Sequence, residues 1–229
     1  MIYFDAGQTA RMLPSGMTPD EIRAITRAVA PALCPDLLVP GLPESEDFER
    51  FRGRHAASLG AGVPYWAVVW PGGQALARYL SDNPAAVRGR AVVDLGCGSG
   101  LVAAAAMRAG AVEAVAVDAD PNALSAATLT AELNGVAVTT CLGPIETYEP
   151  EAGTVICAGD LWYEREIARR ATQALRRLAV AGHEVLCGDP NRPARPRQGA
   201  VALADYEVAA SEAFERSGRV RCTVFSLRP

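Results

Sequence analysis

Residues 91 to 118 constrain the fold of this chain more than any other stretch. Val92-Val93-Asp94-Leu95 runs into Gly96-Cys97-Gly98-Ser99-Gly100, an apolar segment follows from Leu101, and a second apolar run ends in Val115-Ala116-Val117-Asp118. A strand, a glycine-rich turn, a helix and a second strand ending on a carboxylate form the pattern of a nucleotide-type ligand site in an α/β sheet. Glycine lets the backbone take positive φ and lets a ligand approach without a Cβ in the way. A dinucleotide site asks for G-x-G-x-x-G, with the pyrophosphate on the helix N-terminus. This turn reads D-x-G-x-G-x-G, and Asp94, two positions before the first glycine, faces a phosphate unfavourably. A cationic or neutral ligand end suits it better. Asp118 suits a ribose diol, since a carboxylate accepts both hydroxyl hydrogens. The plainer alternative is a tight strand-helix turn with an ordinary strand-end Asp.

Half of the 229 residues are hydrophobic, enough for one substantial core. The net charge of −4 leaves no basic footprint, so nucleic acid is not the expected partner. All 22 basic residues are arginine, and a chain without lysine has no lysine side chain to modify in itself. Cys34, Cys97, Cys141, Cys157, Cys187 and Cys222 form no C-x-x-C pair and have no histidine cluster near them, so neither a metal site nor a disulfide framework is expected. No leader-like segment and no run of about 18 apolar residues is present, which predicts a soluble, cytoplasmic protein without a membrane partner.

Prolines divide residues 1 to about 60 into short pieces. Thr18-Pro19-Asp20-Glu21 is a helix start, predicting a helix to about Ala30, and a second is predicted over Glu44 to Leu59. Neither has enough apolar surface to fold alone, so residues 1–62 are expected to form a helical lid or substrate-selecting extension on a domain spanning 63–229. In that domain the pattern predicts helix 72–80, strand 91–95, helix 100–109, strand 112–118, helix 121–134 and a weaker strand 136–141. Strand 153–158, helix 164–180, strand 183–188 and two final strands near 205–210 and 219–227 follow. The alternation calls for a mostly parallel, doubly wound sheet with helices on both faces. The last two strands have too short a connection for a parallel crossover and are expected to be antiparallel.

The Asp94 to Gly100 turn with Asp118 resembles the first motif and following acidic residue of class I S-adenosylmethionine (SAM)-dependent methyltransferases. That resemblance implies a Rossmann-like seven-stranded sheet ending in an antiparallel hairpin, with SAM held by Asp94, Gly96, Gly98, Ser99, Gly100, Asp118 and Ala119. A further turn, Gly159-Asp160-Leu161-Trp162-Tyr163, resembles the D-x-x-Y element of seven-strand protein methyltransferases that act mainly on lysine. It implies that Asp160 and Tyr163 hold the acceptor amine in line, with Asp160 also beside the cofactor. The bland reading makes Asp160 an N-cap for the following helix and Tyr163 a packing residue.

Upstream, Trp70-Pro71-Gly72-Gly73-Gln74-Ala75-Leu76-Ala77-Arg78-Tyr79-Leu80 is similar to a segment of bacterial relatives of the electron transfer flavoprotein β-subunit lysine methyltransferase. It implies that Trp70 and Gly73 lie near SAM; the alternative is that Trp66 and Trp70 are both core. The Gly188-Asp189-Pro190 turn shares that similarity. One departure is that many SAM enzymes carry an acid after the third strand for the adenine amino group, whereas Glu146 is the nearest here. Backbone groups around Leu142 and Gly143 are then expected to hold adenine. His55 and His183 are poor catalytic candidates, and methyl transfer to an amine implies no dedicated base.

The acceptor is expected to be an amine, first a protein lysine, with a small molecule of specialised metabolism as the alternative. Use of SAM itself in an intramolecular cyclisation is an alternative that product analysis separates, and SAM binding without catalysis is one that calorimetry with SAM followed by incubation with labelled SAM separates.

Overall fold

The computed structural model describes residues 16–42, 47–59, 63–209 and 218–229. Thr18 opens helix α1 (Pro19–Ile25) through a capping box: its hydroxyl accepts from the Glu21 amide, and the Glu21 carboxylate accepts from the Thr18 amide at 2.7 Å. The helix stops well before Ala30. At Thr26 the backbone becomes extended and Oγ1 donates to the Ile22 carbonyl at 2.7 Å, after which β1 (Arg27–Val29) pairs antiparallel with β2 (Val39–Gly41). A ladder partner ten residues downstream therefore overrides local helix signals. The second predicted helix is two short ones, α2 (Phe48–Arg54), capped by Asp47, and α3 (Ala56–Leu59), which meet at His55. Its predicted start at 44–46 lies outside the described residues.

The remaining elements are α4 (Pro71–Asp82), β3 (Ala91–Leu95), α5 (Leu101–Arg108), β4 (Glu113–Asp118), α6 (Pro121–Asn134), β5 (Thr139–Leu142), β6 (Val155–Gly159), α7 (Arg165–Val180), β7 (Glu184–Asp189), β8 (Ala200–Ala209) and β9 (Arg219–Leu227). Their strands form one sheet in the order β5-β4-β3-β6-β7-β9-β8; β9 is antiparallel to both β7 and β8, and the rest are parallel. Two sequence signals set α6 to the residue: Asp120 accepts from the Asn122 amide ahead of Pro121, and Gly135 closes the helix in the left-handed region. β8 starts at Ala200, five residues earlier than its pattern suggests. Its alanines and a bulge between Ala202 and Ala204 obscure the alternation of a half-buried strand.

Alternate strand residues feed two layers. Val92, Val155, Cys157 and Leu186 pack with Leu76, Leu80, Val102 and Ala105 of α4 and α5, while Val93, Ile156, Ala158 and Val185 pack with Ala171, Leu175 and Leu178 of α7. A third cluster packs Met17, Ile22, Phe51, Leu59 and Trp66 against Ala123, Ala126 and Leu129 of α6. Polar ties run along the same seam, from the Met17 amide to Asn122 Oδ1 at 2.8 Å and from Arg23 to Glu132 at 2.7 Å. Among the described residues no helix is long and apolar enough to cross a membrane.

Candidate active site

The strand order reverses at β3, which has β4 on one side and β6 on the other, and ligands of open parallel sheets bind at such a point beyond the carboxyl ends. A cavity lies there. It is lined by Val68, Val69, Trp70 and Gly73 at the start of α4, by Asp94, Gly96, Cys97, Gly98 and Ser99 with Leu101 and Val102 at the β3-α5 turn, and by Gly159 and Asp160 at the end of β6.

Close backbone approach makes this arrangement possible. A Cβ on Gly72 would sit 2.4 Å from the Gly188 carbonyl oxygen, and one on Gly188 would sit 2.2 Å from that of Gly72, so α4 can reach the end of β7 only with glycine on both sides. Asp160 fastens the contact. Its Oδ2 accepts from the Gly73 amide at 2.6 Å, its Oδ1 accepts from Arg192 Nη1 at 2.8 Å, and its own amide donates to the Gly188 carbonyl at 3.0 Å. The residue has φ 59, left-handed for a non-glycine. It does not cap α7, whose N-cap is Glu164 without a side-chain bond.

The carboxylates at the glycine turn have different surroundings. Asp94 is 2% exposed and accepts from the Ala103 amide at 3.1 Å; burial, with Asp118 nearby, pushes it up to about 7. Asp118 accepts from the Gly98 and Asp120 amides, both at 3.0 Å, and burial pushes it up to about 6. Asp118, Ala119, Leu142 and Gly143 are not among the residues lining the cavity; Asp118 lies beside Leu142 in the parallel register, and its carboxylate reaches the cavity-lining Gly98 through that residue's amide. The Gly143 amide donates to the Asp118 carbonyl at 3.0 Å, and a Cβ on Gly143 would meet nothing within 4 Å, so open space adjoins it. Gly100 is a packing residue, since a Cβ there would meet Ala127 Cβ at 2.7 Å.

The two upstream tryptophans divide. Trp66 is buried in the third cluster against α6, whereas Trp70 lines the cavity, with Nε1 donating to the Tyr65 carbonyl at 2.8 Å. Tyr65, which the sequence reading did not single out, has its ring 5.9 Å from Trp70, 5.4 Å from Tyr163 and 6.3 Å from Phe48 of α2. Tyr65 is 42% and Tyr163 46% exposed, so an aromatic path leads from the cavity wall to the surface. Partial burial, with Tyr65 and then the Asp118 and Glu164 carboxylates nearby, raises the Tyr163 hydroxyl to about 12. Among the histidines, His183 Nδ1 lies 3.1 Å from the Thr154 carbonyl, and the His55 ring packs on Phe51, so neither is in the cavity lining. Glu146 pairs with Arg170 of α7.

Comparison with known proteins supplies the chemistry. Residues 76–158 match the ribosomal protein L11 methyltransferase (PrmA) family. Over 180 residues the chain is 39% identical to the electron transfer flavoprotein beta subunit lysine methyltransferase of Xenopus laevis, covering 73% of this chain and 71% of that relative. The chain belongs to the electron transfer flavoprotein β-subunit lysine methyltransferase family. The Mus musculus relative is 38% identical over 172 residues, covering 72% of this chain and 68% of its own. A Pyrococcus horikoshii structure described as an RNA methyltransferase superposes with a TM-score of 0.52 at 15% identity, over 78% of this chain and 98% of its own, and shares the fold.

This methyltransferase is thus a class I enzyme whose cofactor is SAM. The cavity fits that group. A Cβ on Gly73 or Gly98 would meet nothing nearer than 3.8 and 3.9 Å, so both glycines border open space. Asp94 and Asp118, raised by burial, favour a ligand that brings positive charge.

Proposed function

We propose that this methyltransferase transfers a methyl group from SAM to the ε-amine of a lysine on the β subunit of an electron transfer flavoprotein. The aromatic path from Trp70 through Tyr65 to Tyr163 carries the reading, because a rim of exposed aromatic rings beside the cavity suits a long aliphatic chain ending in an amine. Similarity to relatives named for that acceptor supports it.

SAM, when bound, supplies an activated methyl on a sulfonium for in-line displacement. The chain's own residues position the partners. Asp94 and Asp118 would take the cofactor's cationic end and its ribose hydroxyls, the turn Gly96, Gly98 and Ser99 with Ala119 would follow its length, with Gly100 packing that turn against α6, and Leu142 and Gly143 would border the adenine. Trp70 and Gly73 close the near wall, and Asp160 holds that wall and keeps negative charge beside the transfer site. Tyr163 and Tyr65 align the amine, which is worth rate through orientation. With its hydroxyl near 12, Tyr163 stays neutral and is no base, so the ammonium gives its proton to solvent before transfer.

Residues 1–62 act as the acceptor-selecting extension, which the contact of Phe48 with Tyr65 supports. A nucleic-acid acceptor is disfavoured by the net charge of −4 and by the pairing of Arg169, Arg170 and Arg177 of α7 with Glu166, Glu146 and Glu149. The test is incubation with methyl-labelled SAM and purified electron transfer flavoprotein, followed by peptide mass spectrometry. Methyl-lysine on its β subunit with S-adenosylhomocysteine as co-product is expected. An unlabelled flavoprotein, or methylthioadenosine as product, overturns the reading. Because the enzyme contains no lysine, no methyl-lysine can arise from the enzyme itself.

A further inference from the structure

Arg192 lies just beyond β7, in Asp189-Pro190-Asn191-Arg192, and its guanidinium is largely buried, with 16% of the side chain exposed. A single nitrogen serves two carboxylates: Nη1 donates to Asp160 Oδ1 at 2.8 Å and to Asp189 Oδ2 at 3.0 Å. The Arg192 amide also donates to Asp189 Oδ1, at 2.6 Å. Asp189 is fully buried and Asp160 is 8% exposed, so two carboxylates share one cation out of water. Burial of this kind is costly unless every charge is paired.

The groups facing Asp160 come from two elements. From α4 come the amides of Gly72 and Gly73, and from the end of β7 come Arg192 and Asp189. Burial drives the Asp160 carboxyl up, whereas Arg192 and the two amides pull it down. Without the guanidinium, Asp160 and Asp189 face each other as like charges, and a proton is the available substitute.

We propose that Arg192 is a positioning residue of the methyl-transfer site: its guanidinium holds the Asp160 carboxylate against the Gly73 amide, and so fixes the cavity wall built by the start of α4 and the end of β6. The proposal rests on the reading of this cavity as the SAM site. It is tested by binding of S-adenosylhomocysteine, which needs no acceptor, so failure of the flavoprotein reading leaves the test intact.

The measurement is the dissociation constant of S-adenosylhomocysteine by calorimetry from about pH 6.5 to about pH 9, for wild type, Arg192→Gln and Arg192→Lys. The quantity read is the variant-to-wild-type ratio, which cancels the titration of Asp94 and Asp118. For Arg192→Gln the ratio is expected near tenfold at the acid end and to narrow towards the alkaline end, as Asp160 ionises without help. Arg192→Lys is expected to fall between wild type and Arg192→Gln throughout, because it keeps a cation beside both carboxylates but lacks the reach and planar fork of the guanidinium. A ratio independent of pH, or a lysine variant as weak as the glutamine one, overturns the proposal.

Should Arg192→Gln fail to fold, the same substitution in an Asp160→Asn background decides the matter. With no carboxylate at 160 to hold, it is expected to change affinity by less than about twofold, as for residues acting through one another. A further tenfold loss there shows Arg192 acting by another route and overturns the proposal. If wild type itself does not bind S-adenosylhomocysteine, the premise that this cavity is the SAM site is overturned, and the proposal with it.

Discussion

Two turns at the carboxyl edge of the sheet carry acids, and they handle those acids in opposite ways. At the β3-α5 turn and the end of β4 beside it, the groups bonded to Asp94 and Asp118 are backbone amides, and burial leaves the two at about 7 and about 6. At the β6-α7 turn, Asp160 has a guanidinium of its own chain against it. The backbones differ in parallel. The first turn reaches the left-handed region with Gly96, Gly98 and Gly100, whereas the second does so with Asp160, at a cost of about 1 to 3 kcal/mol. That cost makes sense only if the side chain is needed where it stands. One turn is shaped to receive a ligand's charge, while the other has its acid partnered in advance by a guanidinium and serves as a fixed wall.

The sharpest way to break this contrast is at the glycines. Alanine at Gly100 combines φ 77 with contacts of 2.7 Å to Ala127 Cβ and 2.8 Å to Ala127 Cα, neither of which can withdraw without moving α6. A loss of about 3 kcal/mol or more is expected, read as a lower denaturant midpoint at unchanged slope. Alanine at Gly96 meets the flexible end of Leu161 at 2.6 Å and should cost clearly less. Equal losses would mean that packing, and not ligand access, shapes the whole turn.

Next in size is Asp118→Ala. A hydrogen bond to a charged group is worth about 1.5 to 3 kcal/mol, so SAM affinity measured by calorimetry should fall about thirtyfold. Normal binding would remove Asp118 from the receiving turn. Tyr163→Ala tests the opposite side, with turnover down about tenfold and SAM affinity within about twofold, as expected of a residue acting on the acceptor in the transition state. A matching loss of SAM affinity would place Tyr163 with the cofactor and blur the division between the turns.

How far the sequence foretold these features depends on whether the cause was local. The ends of α6 were legible because Asp120, Pro121 and Gly135 are themselves its start and stop signals. The Asp94 to Gly100 turn and Asp160 were legible through motif spacing. Arg192 was not, because its role exists only once the sheet brings the end of β7 beside the end of β6, 32 residues apart in sequence. Tyr65 was hidden for a similar reason: its meaning comes from Tyr163, which reaches it from another turn. The strand after α1 was missed because its ladder partner, and not its own composition, decides it.

The smallest effect tests the electrostatic half of the contrast. Asp94 and Asp118 have folded-state values above the usual carboxylate range, so the folded chain holds protons that the unfolded chain has already released. Without ligand, these two groups therefore make the fold less stable as pH rises from about 4 to about 7, after which their effect is constant. SAM brings cationic charge to the same place and binds the ionised acids better, so its stabilisation should run the other way. The increase in melting temperature at saturating SAM is expected to grow by a few degrees between about pH 5.5 and about pH 8. Methylthioadenosine keeps the ribose but is neutral, so it should report Asp118 alone and show a smaller rise. Equal pH dependence for the two ligands would mean that Asp94 does not sense the ligand's charge, and the first turn would then be a hydrogen-bonding site with no electrostatic role.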